Sequence, residues 1–360
     1  MTTTLRRILG VAVALALLLT ACGSDDDDTG GDAAGDGSTD VTLTLVAHDS
    51  FAVSDDLLDA FTDETGISVE ILMAGDTGSV VNQAVLTKDD PLGDVLFGVD
   101  NTFLTRALDE GIFEPYASPA LADVPGTLQL DDEQRVTPID LGDVCLNYDI
   151  AAFGESGVAV PDSLEALTDP AYADLLVVEN PATSSPGLAF MLATIEEFGE
   201  DGWLDFWSAL RDNGVEVADG WEEAYYGSFS AASDDGTRPL VVSYASSPAA
   251  EVFFAEGALD EAPTGVIDAS CFRQIEFAGV LAGTEHPDEA GELIDFLLSP
   301  EVQEDIPLTM FVYPARDDVE LPEVFVDNAQ LPDDSYEMPP DEIGENRDRW
   351  IEEWTNTVLR

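Results

Sequence analysis

The chain has 360 residues, of which 45% are hydrophobic, so it is long enough to bury a sizeable core. It carries 75 aspartates and glutamates against 12 lysines and arginines, a formal net charge of −63 at pH 7. This charge argues against nucleic acid and anionic lipid head groups as partners, and it is typical of an acidic, halophilic-type surface, because high salt screens self-repulsion.

The first 21 residues have the features of a bacterial export signal. Two arginines precede an apolar run over residues 8–19, which is too short for a permanent transmembrane helix. The run ends in Leu19-Thr20-Ala21-Cys22, which matches a lipobox. We therefore expect a signal peptide over residues 1–21, lipidation of Cys22 and an extracytoplasmic protein that is lipid-anchored to the cell membrane. An ordinary secretory signal with a chance cysteine is the alternative.

The segment after the lipobox predicts an acidic, disordered tether over residues 22–40, because its Asp, Gly, Ser and Thr residues cannot bury apolar area. Residues 41–360 show no internal repeat and fit one large two-lobed unit. Cys145 and Cys271 lie there in strand-like runs. A disulfide between them fits an exported protein, and two buried free thiols are the alternative.

The first half of this unit alternates predicted strands and helices. The strands are Val41–Ala47, Ile67–Met73 and Asp94–Gly98, and the helices are Ser54–Thr65, Val80–Thr87 and Thr102–Glu110. This β-α-β order predicts a parallel sheet with helices on its faces, in which ligands bind beyond the carboxyl ends of the strands. Asp49, Asp76 and Asp100 stand at those ends, where each can either contact a ligand or cap a turn.

The second half repeats this arrangement with two hydroxyl-rich turns. Predicted strands Leu175–Glu179 and Leu240–Tyr244 lead into Ser184-Ser185 and Ser246-Ser247, and a predicted helix follows each turn, the first over residues 188–198. Hydroxyls and free backbone N–H groups at helix starts can hold an anion or a polar edge. Between these turns, glycines and acids flank three aromatic residues, which predict either a core cluster or the wall of a binding site. They are Trp221, Tyr225 and Tyr226.

These motifs resemble those of the thiamine-binding component of bacterial ABC importers, a group of two-lobed periplasmic-type solute-binding proteins. The similarity holds in order and approximate spacing from about Val41 to the last residue. The matching segments are His48–Ala52, Gly98–Asn101, Thr183–Leu188, Gly220–Tyr225, Ser243–Ala249, Ser299-Pro300, Ile306-Pro307, Val312–Pro314 and Trp350–Trp354.

The resemblance implies an α/β, two-lobed periplasmic-binding-protein-like fold. Each lobe is then a mainly parallel sheet flanked by helices, with the ligand in the cleft between the lobes. We expect one lobe over residues 41–140 and 270–300 and the other over residues 141–269 and 301–360. Crossover strands near Thr137–Tyr148 and Ser270–Ala278 are expected to join them. The protein is expected to be a monomer that binds thiamine, thiamine phosphate or thiamine diphosphate by lobe closure and has an ABC permease as its partner, without enzymatic activity, cofactor or metal.

The resemblance also implies particular ligand contacts. They are Asp76, Thr77, Ser184, Ser185, Trp221, Tyr244, Ala245, Ser246, Ser247 and Pro248. A thiazolium cation further favours aromatic faces and carboxylates, for which Tyr225, Phe311, Tyr313, Asp49 and Asp100 are candidates besides Trp221 and Asp76. Relatives tend to carry Tyr at the position of His48 and Trp at that of Phe311, and His48 adds a titratable group beside the cation.

Two other functions remain open from the sequence. A ferric-ion-binding protein of the same fold would use the adjacent Tyr225 and Tyr226 as phenolate ligands, and His48 with a nearby acid would complete the site. A secreted hydrolase is less favoured, because the chain has two histidines and lacks a Gly-x-Ser-x-Gly elbow.

Overall fold

A computed structural model describes residues 41–259 and 261–360. The predicted signal peptide, the lipidation site at Cys22 and the predicted tether lie outside these residues. Within the described part, no helix combines the length and the apolar character needed to cross a membrane.

The described chain contains ten α-helices and ten strands, besides short 3-10 and π-helical turns. The helices are α1 (Asp55–Thr65), α2 (Thr77–Leu86), α3 (Leu104–Asp109), α4 (Ile150–Ser156), α5 (Ser185–Asp212), α6 (Ser247–Phe254), α7 (Pro287–Leu297), α8 (Pro300–Thr309), α9 (Glu323–Asn328) and α10 (Pro340–Val358). The strands are β1 (Val41–Ala47), β2 (Ile67–Met73), β3 (Val95–Asp100), β4 (Phe113–Glu114), β5 (Thr137–Asp149), β6 (Leu176–Glu179), β7 (Glu216–Ala218), β8 (Leu240–Tyr244), β9 (Thr264–Leu281) and β10 (Tyr313–Pro314).

One mixed sheet runs through the described chain in the order β2-β1-β3-β9-β5-β8-β6-β7. Strand β1 is parallel to β2 and β3, and β6 is parallel to β7 and β8. The long antiparallel pair β5 and β9 lies between these two parallel sets, at the position predicted for the crossover strands. The predicted α/β class is confirmed, whereas the boundaries of the two lobes stay a prediction.

Two helices begin earlier than their apolar periodicity predicts. Helix α2 starts at Thr77, because the carboxylate of Asp76 accepts the Thr77 N–H at 2.7 Å and caps the first turn. Helix α5 starts at Ser185, after Ser184 as its cap, and Pro186 fits the first turn. It continues to Asp212 across a break at Gly199, where the sequence predicts its end near Phe198.

The structure joins Cys145 on β5 to Cys271 on β9 by a disulfide, and both cysteines are fully buried. The bond therefore ties the two long strands at the centre of the sheet. We expect mass spectrometry of peptides from non-reduced protein to recover these two cysteines in one linked species. Two thiols that can be alkylated in freshly purified, unfolded protein would show that the bridge is absent.

Candidate ligand-binding site

A cavity of about 610 Å³ lies beyond the carboxyl ends of strands from both parallel sets. Its volume is in the range of small-molecule sites. The residues that line it are His48, Asp49, Ser50, Gly75, Asp76, Thr77, Ser79, Pro186, Asp219, Gly220, Trp221, Glu222, Glu223, Tyr225, Tyr226, Tyr244, Ser247, Ala250, Phe254, Glu276, Thr309, Met310, Phe311 and Val312.

One wall of the cavity is a fixed group of aromatic rings. Trp221 is stacked on Tyr225, with ring centroids 5.0 Å apart and an interplanar angle of 21°, and Tyr225 lies in a π-helical turn over Glu223–Ser228. The indole Nε1 of Trp221 donates to Ser243 Oγ at 2.9 Å, and the Tyr225 hydroxyl donates to Glu251 at 2.8 Å. Tyr226 and Tyr244 meet the tryptophan edge-on. The orientation of Trp221 is thus set before any ligand enters.

Phe311 also lines the cavity. Its backbone has φ 55°, a left-handed conformation that is unusual for a bulky residue. The hydroxyl of Ser246 donates to the Phe311 carbonyl, and Phe254 packs against the Phe311 ring with centroids 5.1 Å apart. These contacts hold an otherwise strained residue at the cavity.

The cavity is strongly acidic. No lysine or arginine is among its lining residues, and His48 is the one lining side chain that can become positive. Six carboxylates line it: Asp49, Asp76, Asp219, Glu222, Glu223 and Glu276. Because low-dielectric walls focus the field of like charges, this cavity attracts cations and repels anions.

Asp76 links the first parallel set of strands to the second. Besides capping α2, its carboxylate accepts the backbone N–H of Ser185 at 3.2 Å and that of Trp221 at 2.9 Å. Gly220 permits this approach, since an added Cβ would lie 3.1 Å from Asp76 Oδ2. Burial raises the pKa of Asp76, although the Trp221 and Ser185 hydrogen bonds act to lower it.

The structure brings nine of the predicted site residues to the cavity and leaves seven outside its lining. Those at the cavity are His48, Asp49, Asp76, Thr77, Trp221, Tyr225, Tyr244, Ser247 and Phe311. Those outside its lining are Asp100, Ser184, Ser185, Ala245, Ser246, Pro248 and Tyr313. Direct contact of any of them with a ligand stays a prediction.

Several residues outside the lining have structural partners instead. Asp100 is fully buried, accepts the N–H and hydroxyl of Thr102 and is hydrogen-bonded to Ser185 and Gln274. The ring of Tyr313 packs edge-on against Phe325, with centroids 4.7 Å apart. Asp100 thus makes the turn-capping hydrogen bonds of its alternative role, and its contact with a ligand stays a prediction.

Sequence reasoning missed other lining residues, notably Glu276 and Phe254. Glu276 lies within β9, in register with Asp100 on one side and Asp140 on the other. The pairing of distant strands places it at the cavity, and no local motif indicates this. Phe254 ends α6, and only its packing against Phe311 reveals its place at the rim.

A family model for bacterial extracellular solute-binding proteins matches residues 90–339. The chain belongs to this family. The thiamine-binding periplasmic protein of Escherichia coli K12 is 29% identical over 323 residues, which cover 88% of this chain and 94% of that relative. The thiamine-binding periplasmic protein of Brucella suis is 29% identical over 327 residues, which cover 89% and 92%.

Solved structures agree with this solute-binding assignment. A periplasmic thiamin binding protein superposes with a TM-score of 0.78 at 28% identity, over 89% of this chain and 96% of that one. Iron-bound HitA from Pseudomonas aeruginosa gives a TM-score of 0.68 at 22% identity, over 88% and 99%. At that identity the second similarity concerns the fold alone. As a member of this family, the protein is a solute-binding component that acts outside the cytoplasm.

Proposed function

We propose that this solute-binding protein captures thiamine outside the cytoplasm, while anchored through lipid on Cys22, and delivers it to the membrane subunits of an ABC importer. The observation that carries the proposal is the cavity, which combines a preset aromatic wall at Trp221 with six carboxylates and no lysine or arginine. The thiamine-binding relatives align along most of their length.

The chemistry of the ligand matches this composition. Thiamine carries a permanent thiazolium charge and a flat aminopyrimidine. An aromatic face attracts such a cation through its quadrupole, and nearby carboxylates add Coulombic attraction in a partly dehydrated site. The hydroxyls of Tyr244, Ser247 and Thr77 provide donors and acceptors for the pyrimidine edge.

Calorimetry at molar salt tests the proposal with thiamine, its monophosphate, its diphosphate, choline and Fe(III). We expect thiamine to bind with a dissociation constant of about 1 µM or tighter. Choline is the control, because it has the permanent charge without aromatic rings, and it should bind at least tenfold more weakly, about 1.4 kcal/mol. Equal affinity for choline and thiamine would show that the site binds cations in general and does not recognise thiamine. The absence of thiamine binding would reject the proposal.

Ferric-ion binding is the second candidate, because Tyr225 and Tyr226 both line the cavity. Their surroundings oppose the phenolate form. Burial and the nearby Glu251 carboxylate raise the pKa of Tyr225 well above its ordinary value, and the same two causes raise that of Tyr226. A visible absorption band on addition of Fe(III), lost in Tyr225→Phe, would favour iron over thiamine.

A further inference from the structure

His48 occupies a constrained position at the cavity. It follows β1, its ring packs against Phe97 with centroids 5.4 Å apart, and its side chain is mostly buried. Gly98 makes this possible, since a Cβ at position 98 would lie 2.3 Å from His48 Cδ2. A residue larger than glycine at this position would displace the imidazole, so the backbone of β3 fixes where the ring sits.

The imidazole faces carboxylates from several elements. Its Nε2 lies 3.4 Å from Glu276 Oε1 on β9 and makes no hydrogen bond in the described structure. Asp76, which caps α2, and Asp49, which follows His48 in the chain, also favour its positive form. A positive charge on His48 also acts to lower the pKa of Glu222, which is next to Trp221 in the chain.

A second buried acid, Asp140, is adjacent to Glu276 in the sheet. Asp140 on β5 is in register with Glu276, is fully buried, and neither of its carboxyl oxygens has a hydrogen-bond partner in the described structure. Burial and the adjacent Glu276 raise the pKa of Asp140 well above its ordinary value, which favours its neutral form. Among the described residues, Glu276 forms its ion-pair contact with His48.

We propose that His48 is the charge-sensing residue of this site, and that entry of a cationic ligand expels the proton from its imidazole to solvent. The inference rests on the proposed function, since it takes thiamine as the cation. In the free site the imidazolium neutralises Glu276. The thiazolium brings a competing positive charge to the same carboxylates, and two cations a few ångströms apart repel each other in a partly dehydrated cavity.

The sign of the pH dependence follows from this exchange. Burial alone would lower the pKa of His48, but Glu276, Asp76 and Asp49 together raise it above 6.5 in the free protein. A bound cation lowers that pKa. Thiamine affinity then rises with pH between the His48 pKa of the complex and that of the free protein, by up to about tenfold per pH unit for one proton.

Calorimetry of thiamine binding in buffers with different ionisation enthalpies counts the released proton, and titrations from about pH 5 to about pH 9 give the slope. In His48→Gln we expect thiamine binding without proton release and a nearly flat pH profile. His286→Gln is the matched control, because His286 is the second of the two histidines and lies outside the cavity lining. It should release the proton as the wild type does.

His48→Phe repeats the test with the ring contact to Phe97 retained, in case the glutamine variant folds poorly. Thiamine binding without proton uptake or release by the wild type, or undiminished proton release in both His48 variants, would overturn the inference while leaving thiamine binding intact. Absence of thiamine binding at every pH in wild type and His286→Gln would instead reject the proposed function itself.

Discussion

Replacing Trp221 by alanine is expected to weaken thiamine binding by about 2–4 kcal/mol, which is roughly 30-fold to 1,000-fold in the dissociation constant. The indole is held by stacking on Tyr225 and by its hydrogen bond to Ser243, so little entropy is lost when a ligand packs against it. Truncation removes both the aromatic face for the thiazolium and the preset geometry of the wall. Calorimetry and the thermal unfolding midpoint together separate lost binding from lost fold.

Trp221→Phe is the matched variant, because it keeps one aromatic ring while it removes the rest of the indole, including the N–H that donates to Ser243. We expect it to retain most of the affinity. Fluorescence gives an independent readout, since the other four tryptophans are at most 1% exposed and Trp221 alone lines the cavity. Ligand-dependent quenching should therefore vanish in Trp221→Phe. Unchanged thiamine affinity in Trp221→Ala would show that this aromatic wall does not contribute to ligand binding.

Local sequence patterns predict much of the fold because short-range chemistry determines it. Strands β1, β2 and β8 begin and end where their apolar runs meet turn residues. Gly66 ends α1 in the left-handed conformation, with φ 78°, as its position after the last periodic residue indicates. Such signals need only neighbours in the chain, so a single sequence contains them.

Some predicted elements are shorter than the observed ones, and packing between distant parts of the chain explains the difference. Strand β9 begins at Thr264, six residues before its predicted start at Ser270. In the structure Gly265 makes room for the ring of Tyr148, since an added Cβ would lie 2.4 Å from that ring. The tyrosine is on the partner strand β5, more than a hundred residues away. A glycine required by a distant side chain cannot be distinguished locally from a glycine in a turn.

The same limit applies to the candidate site. Asp76 and Asp100 have equivalent positions after predicted strands, but only Asp76 reaches the cavity. The carboxylate of Asp100 is instead hydrogen-bonded to Ser185 and Gln274, which are 85 and 174 residues away in sequence. The sequence shows that an aspartate follows each of these predicted strands. Which of them remains available to a ligand depends on partners that only the tertiary structure brings together.

The donors that could hold a ligand phosphate have partners within the chain. The first turn of α5 resembles an anion site in sequence, and the resemblance implies phosphate contacts at Ser184 and Ser185. In the structure the Ser185 N–H donates to Asp76, the Gly187 N–H donates to Ser184 Oγ at 3.4 Å and Pro186 has no N–H. The carboxylate of Asp76 thus already accepts an N–H group that an anion at this helix start would use.

We therefore expect thiamine to bind at least as tightly as thiamine diphosphate, and we expect lower salt to widen its advantage. At molar salt the Debye length is about 3 Å, so the overall charge is screened and only carboxylates at the cavity oppose the diphosphate. Dilution of the salt restores the longer-range repulsion of the acidic protein for an anionic ligand. Titration of both ligands at two salt concentrations, with circular dichroism as the check that the fold persists, measures this difference.

Asp76→Ser tests whether these hydrogen bonds exclude phosphate. Serine can still cap α2, but it no longer accepts the N–H groups of Ser185 and Trp221. The diphosphate should gain affinity relative to thiamine in this variant. Asp49→Asn is the control, since it removes one negative charge from the cavity lining and leaves those donors occupied. A wild type that binds diphosphate tenfold more tightly than thiamine, about 1.4 kcal/mol, would contradict the prediction. A basic side chain would then have to reach the cavity when the ligand binds, because hydroxyls and occupied N–H groups cannot supply that preference.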